Sequence, residues 1–321
     1  TTHDLDAIAS AVHQTAPDVR LIMQLAHAGR QTLQSVTGQT VVGASSRRCR
    51  YFRQRVRPLD ESGIMRIIGE YADAAYRAQQ SGFDGVQIHA AHGYLVHQFL
   101  SPWTNVRRDS WREPHMFLQK IIEAVRARCG RDYPVLVKLS AGEDSSPGLM
   151  VDDTIRTVQH LESMKVDGVE ISYGTMEYAL NIIRGGCPID VIFRANPLFH
   201  RIPSFARNLW RMLFARSYLN KFVPFTENYN VPASARIRRN TNLAVFPVGG
   251  IRSIDGMIDC MTTQGLDGVS LCRPLICEPD LVSKIRDGRW TRSECTNCNL
   301  CTVHADSRRS VRCYQRGKEE S

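Results

Sequence analysis

Short apolar runs of strand length alternate along this chain with amphipathic stretches of helix length, and that alternation constrains the fold more than any single residue does. Three of the runs open with the same residues, Asp84-Gly85-Val86, Asp167-Gly168-Val169 and Asp267-Gly268-Val269. Strands are expected at residues 20–26, 85–90, 134–139, 167–172, 243–248 and 267–271, six in all. Helices are expected between them, at about residues 60–81, 117–128, 151–164 and 255–263, with one before the first strand at 4–13. Such alternation argues a parallel sheet whose crossovers are covered by helices, and the three Asp-Gly-Val openings echo a repeated unit.

Two segments break the rhythm. Residues 32–58 lack either period and read as a long loop of the kind that crosses the mouth of a barrel. Residues 174–242 are long for one crossover. There, Phe205, Leu209, Met212, Leu213, Tyr218 and Leu219 share one helical face and Arg207, Arg211 and Arg216 the other. A basic amphipathic surface for a membrane or partner is one reading. The plainer one is an insertion that packs on the barrel and lines the substrate entrance.

At 321 residues and 43% hydrophobic content the chain can bury a large core. No run reaches the roughly 20 apolar residues of a membrane span, and Thr1 to Ser10 resembles neither a signal nor a transit peptide, so a cytoplasmic protein is expected. A net charge of +9 favours anionic ligands. The basic residues are dispersed and accompany no nucleic-acid motif, so nucleic acid is not the expected partner.

Proton-handling side chains concentrate at the end of the second expected strand, where Val86 and Ile88 alternate with Gln87 and His89 and the chain breaks at Gly93 into the apolar run Tyr94 to Leu100. His89, His92 and Tyr94 fall within six residues at that break. Groups at the end of a buried strand are stiffly held yet face a cavity, as acid chemistry requires. From His89 onward the stretch HAAHGYLVHQFLSPWTNVRRD resembles the signature of the old yellow enzyme family of flavin-dependent oxidoreductases, in the branch with two histidines before Gly-Tyr.

That resemblance implies a TIM (β/α)8 barrel, non-covalent FMN, NAD(P)H as reductant, and an activated (α,β-unsaturated) alkene as substrate. Its QLxHxGR strand, here Gln24 to Arg30, is the third of the barrel, so the first two strands are expected to be missing from this chain. It further implies that Gln24 hydrogen-bonds the pyrimidine edge of the flavin and that Lys138, the lone charge in Val135 to Ser140, sits beside the N1 and O2 atoms. His89 and His92 would hold the substrate's oxygen, with Tyr94 delivering the proton, a phenol of ordinary pKa about 10 being protonated at neutral pH.

The glycine pair Gly249-Gly250 follows a strand and precedes a helix, so its backbone N–H groups could approach an anion. By resemblance Arg273 joins the same phosphate. Cys272 stands where the family usually has Gly or Ala, Gln87 where Glu is usual, and Trp111-Arg112-Glu113 where Tyr-Gly-Gly is usual.

Of ten cysteines, Cys49, Cys129, Cys187, Cys260, Cys272 and Cys277 are dispersed and read as small, mostly buried apolar residues. Cys295, Cys298, Cys301 and Cys313 cluster near the end at spacings suited to a [4Fe-4S] cluster or, second, zinc. The segment resembles the cluster segment of dienoyl-CoA and enoate reductases, whose second spacer is one residue longer. Residues 1–288 are therefore expected to form a partial FMN-binding barrel and 289–321 a Cys-rich tail. A homo-oligomer is compatible with the sequence. The rival reading is a degenerate barrel without catalysis that binds a metal or a partner.

Overall fold

The computed structural model describes residues 2–196, 199, 202–305, 307 and 309–316. In chain order these form α1 (Thr2–Thr15), β1 (Ile22–Leu25), α2 (Gln34–Thr37), β2 (Val42–Gly43), β3 (Arg57–Pro58), α3 (Glu61–Gln80) and β4 (Gly85–Ala90). Then come α4 (Leu95–Leu100), α5 (Met116–Cys129), β5 (Val135–Ser140), α6 (Val151–Ser163) and β6 (Gly168–Ser172). The rest is α7 (Ala179–Ile183), α8 (Ile189–Ala195), α9 (Ser204–Leu219), α10 (Val231–Arg238), β7 (Ala244–Pro247), α11 (Ile254–Thr262), α12 (Arg273–Cys277), α13 (Leu281–Arg286) and α14 (Leu300–Ala305). The chain packs as two compact units, Thr1–Glu177 with Ala233–Pro247, and Tyr178–Pro232 with Val248–Ser321.

The first unit is built on a parallel sheet of order β1-β4-β5-β6-β7. Its register explains the alternation in the sequence. Leu25, Ile88, Val137, Val169 and Val245 lie in one row across the strands, and the last four have no exposed surface. One residue along, His89, Lys138, Glu170 and Phe246 form the next row, on the opposite face. One face is thus a continuous apolar layer, each buried Val or Ile contributing roughly 1.5–3 kcal/mol, while the other carries the polar side chains.

Helices α3 and α5 pack against each other. Asp60 caps α3, its Oδ1 accepting the Gly63 N–H at 2.8 Å, and the helix buries Ile64, Ile67, Ile68, Tyr71, Ala72, Ala75 and Ala78 at helical spacing. The segment expected to be a loop holds α2 and a two-residue parallel pairing of β2 with β3.

In the second unit the strand expected at 267–271 is reduced to a single bridge, Val248 to Ser270. Pairing stops because Val248 is followed by Gly249 and Gly250 at φ of 140° and 82°, outside extended geometry, and α12 starts at Arg273. The buried Glu278 carboxylate accepts from Trp290 Nε1 (3.1 Å), Ser293 Oγ (2.8 Å) and Glu294 N (3.0 Å), which anchors the segment entering the Cys-rich tail.

The insertion departs from the expectation of a packed apolar face. Within α9 Ala215 is buried, whereas Phe205 is 74%, Leu209 50% and Met212 75% exposed. Among the described residues no helix is long and apolar enough to cross a membrane.

Candidate active site

Strand β4 delivers His89 to the polar face, and a tight reversal then places His92 and Tyr94. His92 and Gly93 both adopt left-handed backbone, at φ of 61° and 78°. The positive φ of Gly93 disfavours any side chain there, and a Cβ would also displace the Gln31 amide and lie 3.2 Å from Thr175 Cβ. A non-glycine residue is costly in this conformation, and several bonds hold His92 in it. Its N–H donates to Ser140 Oγ (3.1 Å), its carbonyl accepts from Gln31 Nε2 (3.0 Å) and Met176 N (3.0 Å), and its ring Nε2 meets Ser172 Oγ at 2.7 Å. Tyr94 then occupies the N-cap of α4.

The structure brings the three expected groups together. The His89 ring lies edge-on to His92 at 5.1 Å between centroids and to Tyr94 at 4.8 Å. Burial, reinforced by the neighbouring Lys138 and His97, lowers the His89 pKa to about 4. Burial, with His89, Lys138 and His97 adding to it, holds His92 well below the ordinary histidine value. Both rings are therefore neutral at pH 7. Since His89 Nδ1 accepts from Ala91 N–H at 3.3 Å, its proton sits on Nε2, leaving a neutral donor there.

Beside the trio, a hydrogen-bonded chain crosses four adjacent strands. Gln24 Nε2 donates to Gln87 Oε1 (2.6 Å), Gln87 Nε2 donates to Glu170 Oε2 (3.0 Å), and Lys138 Nζ pairs with the same oxygen (3.0 Å). The cost of burying the Lys138 ammonium is offset by Glu170, which the sequence reading did not single out. Its signal was present: Glu170 is the lone charge in β6, as Lys138 is in β5. Gln87, where the family usually has Glu, links Gln24 to Glu170. Ser140, Ser172 and Gln31 were likewise missed, because a strand-end serine or a loop glutamine carries no distinguishing pattern.

Two deeper buried pairs also escaped the sequence reading. Arg30 Nη2 meets Glu177 Oε1 at 3.0 Å, both side chains almost wholly buried. His97 Nε2 meets Glu143 Oε2 at 3.3 Å, and Glu143 also accepts from Ser101 Oγ and from Leu149 N (2.9 Å).

The other expected cofactor residues belong to the second unit. Gly249 and Gly250 form a turn that only glycine fits, since a Cβ on Gly249 would lie 2.6 Å from the Tyr229 ring and one on Gly250 2.8 Å from Asn228 N. Ser253 caps the following helix through Gly256 N. Arg273 donates to the Arg184 carbonyl (2.9 Å) and Asn299 Oδ1 (2.6 Å), and Cys272 is exposed. The residues for the ring edge thus form a connected polar set that fits a flavin. Arg273 is engaged by protein acceptors.

Cys295, Cys298, Cys301 and Cys313 line one cavity of about 80 Å³. Cys277 lines it too, with its Sγ 3.7 Å from that of Cys313, so it belongs with the tail and not with the dispersed cysteines. Among the described residues no three His, Cys, Asp or Glu side chains converge closely enough to hold a single metal ion.

The sequence profile of the NADH:flavin oxidoreductase / NADH oxidase family matches residues 2–184, more than half of the chain and all of the trio. The chain belongs to that family. Over 91% of its length it is 29% identical to an NADH oxidase of Thermoanaerobacter brockii, covering 40% of that protein. Over 80% it is 29% identical to an NADPH dehydrogenase of Listeria welshimeri, covering 63%. The chain therefore spans less than two thirds of these relatives.

Among solved structures, a 2-naphthoyl-CoA reductase in complex with 2-naphthoyl-CoA superposes over 95% of this chain and 44% of its own, with a TM-score of 0.75 and 21% identity. An old yellow enzyme homologue from Zymomonas mobilis superposes over 91% of this chain and 73% of its own, with a TM-score of 0.66 and 21% identity. The fold is the TIM barrel of the old yellow enzymes, of which the described sheet supplies five parallel strands.

Proposed function

We propose that the chain is the catalytic part of an FMN-dependent oxidoreductase that uses NAD(P)H to reduce the C=C bond of activated alkenes. The observation that carries this is the packing of two neutral histidines and a tyrosine at the end of β4, next to the Gln24–Gln87–Glu170–Lys138 chain. Membership of a family of FMN-dependent, NAD(P)H-using enzymes supports it. FMN, if bound there, would supply the hydride transfer from the nicotinamide to the β-carbon of the alkene.

The protein residues act on the rest of the substrate. His89 Nε2–H and the ring of His92 hold the carbonyl or nitro oxygen, where negative charge grows during reduction. Neutral donors suit this role because they bind the developing anion without being titrated in the working pH range. Tyr94 gives its phenolic proton to the α-carbon. Lys138 is the cation assigned to the pyrimidine edge of the flavin, with Gln24 donating and accepting alongside it. Glu170 holds the Lys138 ammonium in place. Gly249, Gly250 and Arg273 are assigned to the phosphate, for which Arg273 has to exchange an acceptor.

For the tail we propose a [4Fe-4S] cluster held by Cys295, Cys298, Cys301 and Cys313, supported by their spacing and shared cavity. The oxyanion role is tested by titrating a simple phenol into FMN-loaded protein, since a phenolate mimics the developing anion. His89→Ala with His92→Ala is expected to abolish tight binding, and unchanged affinity would remove the histidines from the substrate site.

A further inference from the structure

Helix α9 is held from one side. Trp210 stacks edge-on against Phe193 of α8 (5.4 Å) and Tyr218 (5.7 Å), and Tyr218 against Phe222 (5.1 Å). At 3.6 residues per turn, Phe205, Leu209, Met212, Arg216 and Leu219 fall on the opposite side, a stripe at spacings of four, three, four and three. All of its apolar members are exposed, with Leu213 (56%) beside them. An apolar stripe of this extent on a helix surface marks an interaction face.

The charge around the stripe selects what covers it. Between Asp190 and Glu227 the sequence has no acidic residue and six cations, Arg194, Arg201, Arg207, Arg211, Arg216 and Lys221, of which Arg211 is paired with Asp190 at 3.0 Å. Contrary to the expected faces, Arg216 lies within the apolar stripe itself and Tyr218 turns to the packed side. A dry protein interface would bury that guanidinium at a large desolvation cost. At a bilayer surface the same side chain lays its methylenes along the apolar layer and reaches the phosphates with its charged end. We propose that α9 lies in the surface of an anionic lipid bilayer, with Phe205, Leu209, Met212 and Leu213 in the acyl boundary and Arg216 and Lys221 at the headgroups. Neither the stripe nor its charges involve the flavin residues, so the test below holds whether or not the chain reduces alkenes.

The whole chain is mixed with vesicles of phosphatidylcholine alone, or with about one third phosphatidylserine, and floated on a density gradient. Flotation with the anionic vesicles is expected, weaker with the neutral ones and weakened again as salt rises from about 0.1 to 0.5 M. Leu209→Glu with Met212→Glu should lower the partition coefficient at least about ten-fold. Arg216→Glu with Lys221→Glu, which leaves the apolar stripe in place, should remove the preference for phosphatidylserine. Circular dichroism confirms that each variant is folded, and the charge variant decides the matter if the apolar one is not. Absence of flotation with anionic vesicles overturns the proposal, as does flotation that both variants retain. A dimer that Leu209→Glu with Met212→Glu dissociates, without vesicle binding by the parent chain, would instead assign the face to a second copy.

Discussion

Neutrality of the buried histidines has a measurable consequence for stability. His89 has a folded-state pKa of about 4 against an ordinary 6.5, the main cause being burial. Because the folded value is depressed, the unfolded chain takes up the proton first as pH falls. The associated stability is fully present above pH 6.5, is lost progressively down to about 4, and changes no further below that. Each pKa unit is worth about 1.4 kcal/mol, so the whole window is worth about 3 kcal/mol, of which about 2 kcal/mol falls between pH 7 and 4.5. His89→Asn removes the titration while keeping an acceptor for the Ala91 N–H, and His92 is still held down mainly by its burial in both proteins. Urea unfolding at pH 7 and pH 4.5 should therefore show the parent chain losing about 2 kcal/mol more than the variant. Equal losses would mean that the His89 imidazole titrates normally in the folded protein, and the neutral-donor account of the site would fall with it.

Replacement of Tyr94 by Phe should slow alkene reduction by about 10²- to 10⁴-fold while leaving flavin reduction by NAD(P)H nearly intact; stopped-flow measurement of the two half reactions separates them, and a defect confined to the NAD(P)H step would contradict the acid role. Glu177→Gln leaves the buried Arg30 guanidinium without its counter-charge and should destabilise the chain by about 3–5 kcal/mol in urea unfolding. A loss under about 1 kcal/mol would mean that the pair is hydrated. Anaerobically purified protein should carry iron and acid-labile sulfide, both lost in Cys298→Ser; metal analysis showing neither in the parent chain would return the tail to reduced thiols.

The fold was legible where one rule governed a whole segment. Apolar residues two apart in β4, β5 and β6 face the helices because a strand alternates its side chains, and the apolar spacing of α3 needs no tertiary information. The trio was legible because three proton-handling groups in six residues outweigh the local alternatives. Glu170, Glu143, Glu177 and Cys277 were not, since each is defined by a partner far along the chain: Lys138, His97, Arg30 and Cys313 respectively. The strand expected at 267–271 failed because its extension depended on the geometry of Gly249 and Gly250, set 20 residues earlier in the chain. The outward face of α9 had the right periodicity for packing, and only the positions of Phe193 and Phe222 decide which side packs.

The most direct test of the redox reading is an anaerobic absorbance spectrum of the protein supplied with FMN and freed of unbound flavin. The account predicts a yellow protein that bleaches on addition of NADH or NADPH and regains its colour when a cyclic α,β-unsaturated ketone is added. A protein that retains no flavin, or whose bound flavin is left unchanged by both nicotinamides, would contradict it.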